Sequence, residues 1–256
     1  MHLKTEDIIR LEIEFDSGEI PAPFSHTYKI KTGFEKDFVN TQFDINYTDR
    51  EELSEEEIYD EGFTPDDDYS YKGELPKVWE APFKALYSKT TWANKKVLDE
   101  NGGIKILAKD RHGKIVRGIP INNQDWQYLA QEFIQAIYEI NKKEAPLTLQ
   151  YYVNDKEEGD LFYELTVKFS IRKVELSING KIKEVDWDSA KALLGYVFLP
   201  DYDYDQAQER KPNKRGHYIH LGDGFWHEFG KGIINIDDSF DATSKIKSEF
   251  RKLNQL

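Results

Sequence analysis

Val39-Asn40-Thr41-Gln42-Phe43-Asp44-Ile45-Asn46-Tyr47-Thr48 alternates without a fault. Val39, Thr41, Phe43, Ile45 and Tyr47 fall on one side of an extended chain, and Asn40, Gln42, Asp44, Asn46 and Thr48 on the other. Successive side chains of a strand point to opposite faces, so this stretch is a strand with one face buried and one in water. Upstream, Ile9, Leu11, Ile13 and Phe15 alternate with Arg10, Glu12 and Glu14, and Phe24, His26, Tyr28 and Ile30 alternate with Ser25, Thr27 and Lys29. Asp16-Ser17-Gly18 supplies a turn between them. Three consecutive strands with one polar face read as an antiparallel meander.

Downstream, residues 49–74 read as an acidic surface excursion, with Ser54 and Glu57 placed for a capping box. Val78, Trp79, Phe83 and Leu86 suggest a helix, which Pro82 should kink or divide. Residues 104–109 and 114–119 read as a hairpin around His112-Gly113. The best helical stripe is Trp126, Leu129, Ala130, Phe133, Ile137 and Ile140, with Asn122 or Asn123 as its cap. A second strand block follows at 147–185, closed by Asn179-Gly180, the strongest short hairpin signal in the chain. Asp186 caps a helix with Trp187, Ala190, Leu193 and Leu194, and Asp241 caps a last helix with Ile246, Phe250 and Leu253. The expected fold is α+β: antiparallel meander sheets with helices packed mainly on one face, and two strand-rich halves of similar pattern. The expected units are 1–143 and 144–256, packed as one compact globule.

Composition narrows function. The 256 residues are 39% hydrophobic and 14% aromatic, enough for a sizeable core. A formal charge of −13 repels phosphate backbones, so nucleic acid is disfavoured as a partner. With no cysteine, there are no disulfides, thiolate metal sites or cysteine nucleophiles. No signal peptide and no membrane-spanning apolar run are read, and the expected location is the cytoplasm. Phosphate-loop, dinucleotide, zinc-protease and nucleophile-elbow motifs are absent.

Four clusters remain. Asp66-Asp67-Asp68 offers hard oxygen ligands, but lacks calcium-loop spacing and reads as a solvated loop. Asp201, Asp203 and Asp205 would share one face of an extended segment. Arg210, Lys211, Lys214 and Arg215 stand beside His217 and Tyr218 in a polar loop. Finally, His217, His220 and His227 are half of the 6 histidines. If Asp223-Gly224 holds the centre of a type I′ turn, His220 faces His227 and Tyr218 shares their face, while His217 points away. His220, His227, Tyr218 and Arg215 are therefore the candidate ligand-binding residues. No metal and no cofactor is expected, no catalytic residue is assigned, and no residue pattern sets an oligomeric state. The functional expectation is a non-enzymatic binding or protein-interaction module with another protein as partner. The alternative is a hydrolase-like enzyme using His217, His220 or His227 with a nearby carboxylate, metal-assisted or not.

Overall fold

The computed structural model describes residues 2–237 and 239–255. The chain divides into two compact units, Met1–Glu144 and Ala145–Leu256. Each is built on one six-stranded antiparallel sheet with helices, the α+β architecture with two similar strand-rich halves. No described helix is long and apolar enough to cross a membrane.

In the first unit, β1 (Ile8–Asp16), β2 (His26–Phe34) and β3 (Phe38–Tyr47) form the meander. The chain continues through α1 (Glu55–Asp60), β4 (Tyr69–Pro76), α2 (Glu80–Lys89), β5 (Gly103–Asp110), β6 (Ile115–Gly118) and α3 (Asn123–Ile140). The strand order is β4-β3-β2-β1-β5-β6, so β5 returns to the free edge of β1. Leu11, Ile13, Ile30, Val39, Phe43, Ile104 and Ile106 are buried on one face. There α2 and α3 cover them, with Phe83 against Phe34 and Tyr138 against Phe43. Trp79 and Phe83 each meet Phe133 in a T-shaped arrangement.

Several local expectations change for identifiable reasons. The ladder between β1 and β5 shifts register between Ile8 and Arg10, so Ile8 is buried and Ile9 exposed. Pro82 does not break α2: it is the third residue, where a helix has no acceptor for the missing N–H anyway. A 3-10 turn, Lys77–Trp79, precedes it. Asn123 does not cap α3; its Oδ1 accepts the Ile104 N–H of β5 at 2.9 Å. The acidic excursion is shorter than its composition suggests, because β4 already occupies residues 69–76 as the edge strand beside β3.

The second unit repeats the order. β7 (Leu147–Asp155), β8 (Gly159–Lys168), β9 (Lys173–Ile178) and β10 (Lys181–Val185) form the meander. α4 (Trp187–Val197) and the short β11 (Asp201–Tyr202) lead to β12 (Gly216–His220) and β13 (Trp226–Glu228), then β14 (Ile233–Ile234) and α5 (Ala242–Gln255). The sheet order is β10-β9-β8-β7-β12-β13, and β11 pairs with β14 separately. Leu149, Tyr151, Leu165 and Leu176 pack with Leu193 of α4 and with Ile246 and Phe250 of α5. Asn179 and Gly180 have φ of 47° and 83°, the two left-handed positions of a type I′ turn.

The stripe on α3 carries a stability prediction. Trp126, Ala130, Phe133 and Ile137 are all fully buried. Phe133→Ala is expected to cost about 3–5 kcal/mol. It should lower the urea midpoint without changing the slope. Ile182→Ala, on the exposed edge strand β10, should stay within about 0.5 kcal/mol of the parent.

Candidate functional site

The histidine hairpin has a different register from the one its turn residues suggest. Tyr218 pairs with Glu228, Ile219 with His227 and His220 with Trp226. The positive-φ residues are Gly222 (95°) and Gly224 (96°), not the Asp223-Gly224 pair that a type I′ turn would need. The loop therefore runs from Leu221 to Phe225. It is held by the Gly222 N–H to His220 Nδ1 (3.0 Å) and the Phe225 N–H to Asp223 Oδ1 (3.0 Å). A shift of one residue turns one strand's side chains over. His220 and His227 consequently do not face each other. His220 lies on the outer face against Trp226, with ring centroids 5.3 Å apart. His227 lies on the core face beside Ile219, as does His217.

His227 is 0% exposed. The rings of Tyr202 and Tyr204 meet it edge-on, each at 5.0 Å. Its Nε2 is 3.9 Å from Asp223 Oδ2, beyond hydrogen-bond reach, and neither ring nitrogen has a hydrogen-bond partner. Asp223 instead accepts the Tyr204 hydroxyl at 2.9 Å. Burial lowers the His227 pKa, while Asp223 and the Asp203 backbone oppose the shift without overcoming it. The neutral imidazole is thus a fully buried polar group whose polar neighbours, Asp223 and the Asp203 backbone, lie outside good hydrogen-bond geometry, which normally costs free energy.

His217 sits at the rim of the same face. Its Nδ1 is 2.7 Å from the Tyr151 hydroxyl. Burial pushes the Tyr151 pKa far up, so the tyrosine keeps its proton and donates it to Nδ1. The His217 proton is then on Nε2, and burial together with nearby Lys247 lowers its pKa. Tyr218 and Arg215, the other candidates, separate as well. Tyr218 is buried on the outer face beside Tyr152, and Arg215 is an exposed residue whose carbonyl accepts the Tyr218 hydroxyl at 3.4 Å.

The acidic clusters are used internally. Asp67 accepts the Thr64 N–H and hydroxyl and pairs with Arg50 at 3.1 Å, and Asp68 accepts the Tyr47 N–H. Asp201, Asp203 and Asp205 do not share an extended face, because a 3-10 turn begins at Tyr204 and Asp203 accepts the Asp205 N–H. Among the described residues, no group of three or more His, Asp or Glu is arranged to hold a metal ion.

A site that residue-type reasoning misses lies on the outer face of the first sheet. Register aligns Arg10, Gly33 and Asn40 in one cross-strand row, and Lys31, Gln42 and Lys72 in the next. These residues line a cavity of about 190 Å³. Gly33 leaves the hole between its neighbours; a Cβ there would meet Asn40 Cβ at 3.7 Å, an ordinary contact. Three carboxylates border it: Glu74 is the cross-strand partner of Asn40, Glu12 that of Lys31, and Glu35 follows Gly33 closely in the chain. Glu12 holds Arg10, and Glu35 Oε1 lies 3.9 Å from where the Gly33 Cβ would be. Among the described residues Lys72 has no ion-pair partner, and Lys31 Nζ donates to Gln42 Oε1 at 3.4 Å. The sequence does carry one signal for this cavity: a glycine inside a strand marks close approach of something else. The cationic lining itself comes from strands distant in the chain.

No protein-family model matches the chain, and comparison with curated proteins and with solved structures gives no match either.

The buried histidine predicts a pH dependence of known sign. A base whose folded pKa is below its unfolded value of about 6.5 binds fewer protons when folded. Stability is complete above that value and declines as the pH falls below it. The urea midpoint is expected to drop as the pH falls below about 6.5. His227→Phe should reduce that drop and leave stability at the upper pH equal or higher, since it removes an unpartnered polar group at similar volume. His217 leaves a residual slope. An unchanged pH profile in His227→Phe would contradict the assignment.

Proposed function

We propose that this protein is a non-enzymatic binding protein that recognises an anionic group, a phosphoryl or carboxylate, on the outer face of its N-terminal sheet. One observation carries the reading. Arg10, Lys31 and Lys72 converge with the amides of Asn40 and Gln42 on the space left by Gly33, in a chain whose formal charge is −13. Arg10 is already paired with Glu12, so Lys31 and Lys72 supply the excess positive charge on the lining, and an anion between them lowers their mutual repulsion. The chain's other acids oppose binding only weakly at range, because the screening length is about 8 Å at physiological ionic strength.

The size and chemistry of the cavity define what would enter. At about 190 Å³ it is below the ~300–1,000 Å³ of whole small-molecule pockets, so it suits a charged group carried by something larger. Arg10 offers a planar fork, with one side engaged by Glu12. Lys31 and Lys72 act as point charges. Gln42 is oriented by its own bonds: its Nε2 donates to Asp44 Oδ2 at 3.0 Å, which turns Oε1 toward Lys31 and keeps that ammonium over the cavity. A partner protein presenting a phosphorylated or acidic side chain has this chemistry, which agrees with the interaction-module expectation.

Titration of the full chain with inorganic phosphate, followed by amide chemical shifts, tests the reading. Saturable shifts centred on Gly33 are expected, with a dissociation constant on the order of 1 mM for the free ion. Lys31→Ala should weaken binding about tenfold. Gly33→Val is the sharper variant. The glycine does not use a positive φ and an added Cβ meets only ordinary contacts, and the two methyls beyond it enter the cavity, so the fold should be kept while the cavity is filled. Phosphate binding that persists in Gly33→Val would rule the cavity out.

A further inference from the structure

The corresponding outer face of the second sheet is aromatic where the first is charged. Tyr152, Tyr218 and Trp226 are buried there, with Phe162 packed against them. Tyr152 and Phe162 are direct cross-strand partners on β7 and β8, their rings 6.5 Å apart and tilted by 54°. Residues 207–215 pass over this face. Gln208 is tied to Trp226 by two backbone hydrogen bonds, of 3.1 and 2.8 Å, and Pro212 is buried. Lys211, from the middle of that segment, places its Nζ 4.3 Å from the centre of the Tyr152 ring and 4.3 Å from that of Phe162.

We propose that Tyr152 and Phe162 form a two-walled cage for an alkylammonium group, and that Lys211 is its resident occupant. The cage is an addition to the anion cavity of the other unit and does not depend on it. Two rings tilted toward one cation both present the negative face of their π systems, the geometry that attracts lysine and quaternary ammonium groups. The cage carries acidic support, since Asp160 accepts the Tyr152 hydroxyl at 3.3 Å. Tyr152 keeps its ring packed on Tyr218 at 6.2 Å, so the wall is rigid before any ligand arrives. The strap, by contrast, forms no helix or strand between residues 209 and 215. Lys211 is itself exposed and has a long, freely rotating stem, so its ammonium can swing out without unfolding the sheet. An external lysine, methylated lysine or quaternary ammonium then competes with a tethered copy of the same chemistry. The tether makes Lys211 a built-in competitor, and the apparent affinity for any outside ligand is reduced by the fraction of time the cage stands empty.

Tetramethylammonium chloride titrated into the full chain, with sodium chloride as control, tests the proposal through the amide shifts of residues 152 and 162. Lys211→Ala should bind roughly tenfold more tightly than the parent, because the resident cation is gone. Lys211→Arg keeps a cation in place and should behave like the parent. Phe162→Leu in the Lys211→Ala background retains apolar bulk, removes one ring face and should abolish saturable binding. A short peptide carrying one trimethyllysine distinguishes the sources: binding tighter than that of the free cation assigns the cage to a partner's side chain, and equal binding to a small ammonium compound. The proposal is overturned if Lys211→Ala and the parent respond alike to tetramethylammonium, or if saturable binding survives Phe162→Leu.

Discussion

Each unit depends on a strand that returns to the beginning. β5 pairs along the free edge of β1 from Asp16↔Gly103 to Ile8↔Asp110, and β12 does the same for β7 from Gly216↔Asn154 to His220↔Gln150. Without that pairing the unit is a meander with its first strand at an open edge. With it, β1 and β7 become interior strands, and the crossing helix is pinned over one face of the sheet. The closure is non-local, so its loop entropy must be repaid by the contacts it makes. Asn123 illustrates the repayment, since a residue at the start of α3 spends its side chain on the N–H of Ile104 in β5.

The same order of strands serves two different outer faces. In the first unit the pleat presents Arg10, Lys31, Lys72, Asn40 and Gln42, charged and amide groups that stay hydrated. In the second it presents Tyr152, Phe162, Tyr218 and Trp226, too apolar to leave bare, and a strap from residues 207–215 covers them. The inner faces are alike in kind: β-branched, leucine and aromatic side chains under helices that carry aromatic residues of their own. The two sheets differ in chemistry where helix packing does not constrain them.

The register of a single hairpin decides what the histidines are. With Asp223-Gly224 at the centre of a tight turn, two imidazoles would meet across the strands. With Gly222 and Gly224 taking the left-handed positions, the loop is longer and His227 turns inward between Tyr202 and Tyr204. The shift has a visible cause. It places Trp226 on the outer face, where it rests on Phe162 and His220 and exchanges two backbone hydrogen bonds with Gln208. Burying an indole and satisfying that strap outweigh the isolation of one imidazole, whose neutral form tolerates burial better than its charged form.

What the sequence determined by itself was carried by short periods and by local geometry that no distant group contests. Alternation of apolar and polar residues marked β1–β3 and β7–β9, the six-position stripe marked α3, and Asn179-Gly180 marked a two-residue turn, because each rests on the dihedral preferences of neighbouring residues. Ser54 with Glu57, Asp186 and Asp241 capped their helices for the same reason. Tertiary structure alone decided which edge β5 and β12 joined, the register of β12 on β13, and the diversion of Asn123 from cap to sheet ligand. These outcomes turn on competition between groups far apart in the chain. The cavity over Gly33 is of the same kind: its cations stand at positions 10, 31 and 72, and only the cross-strand register brings them to one place.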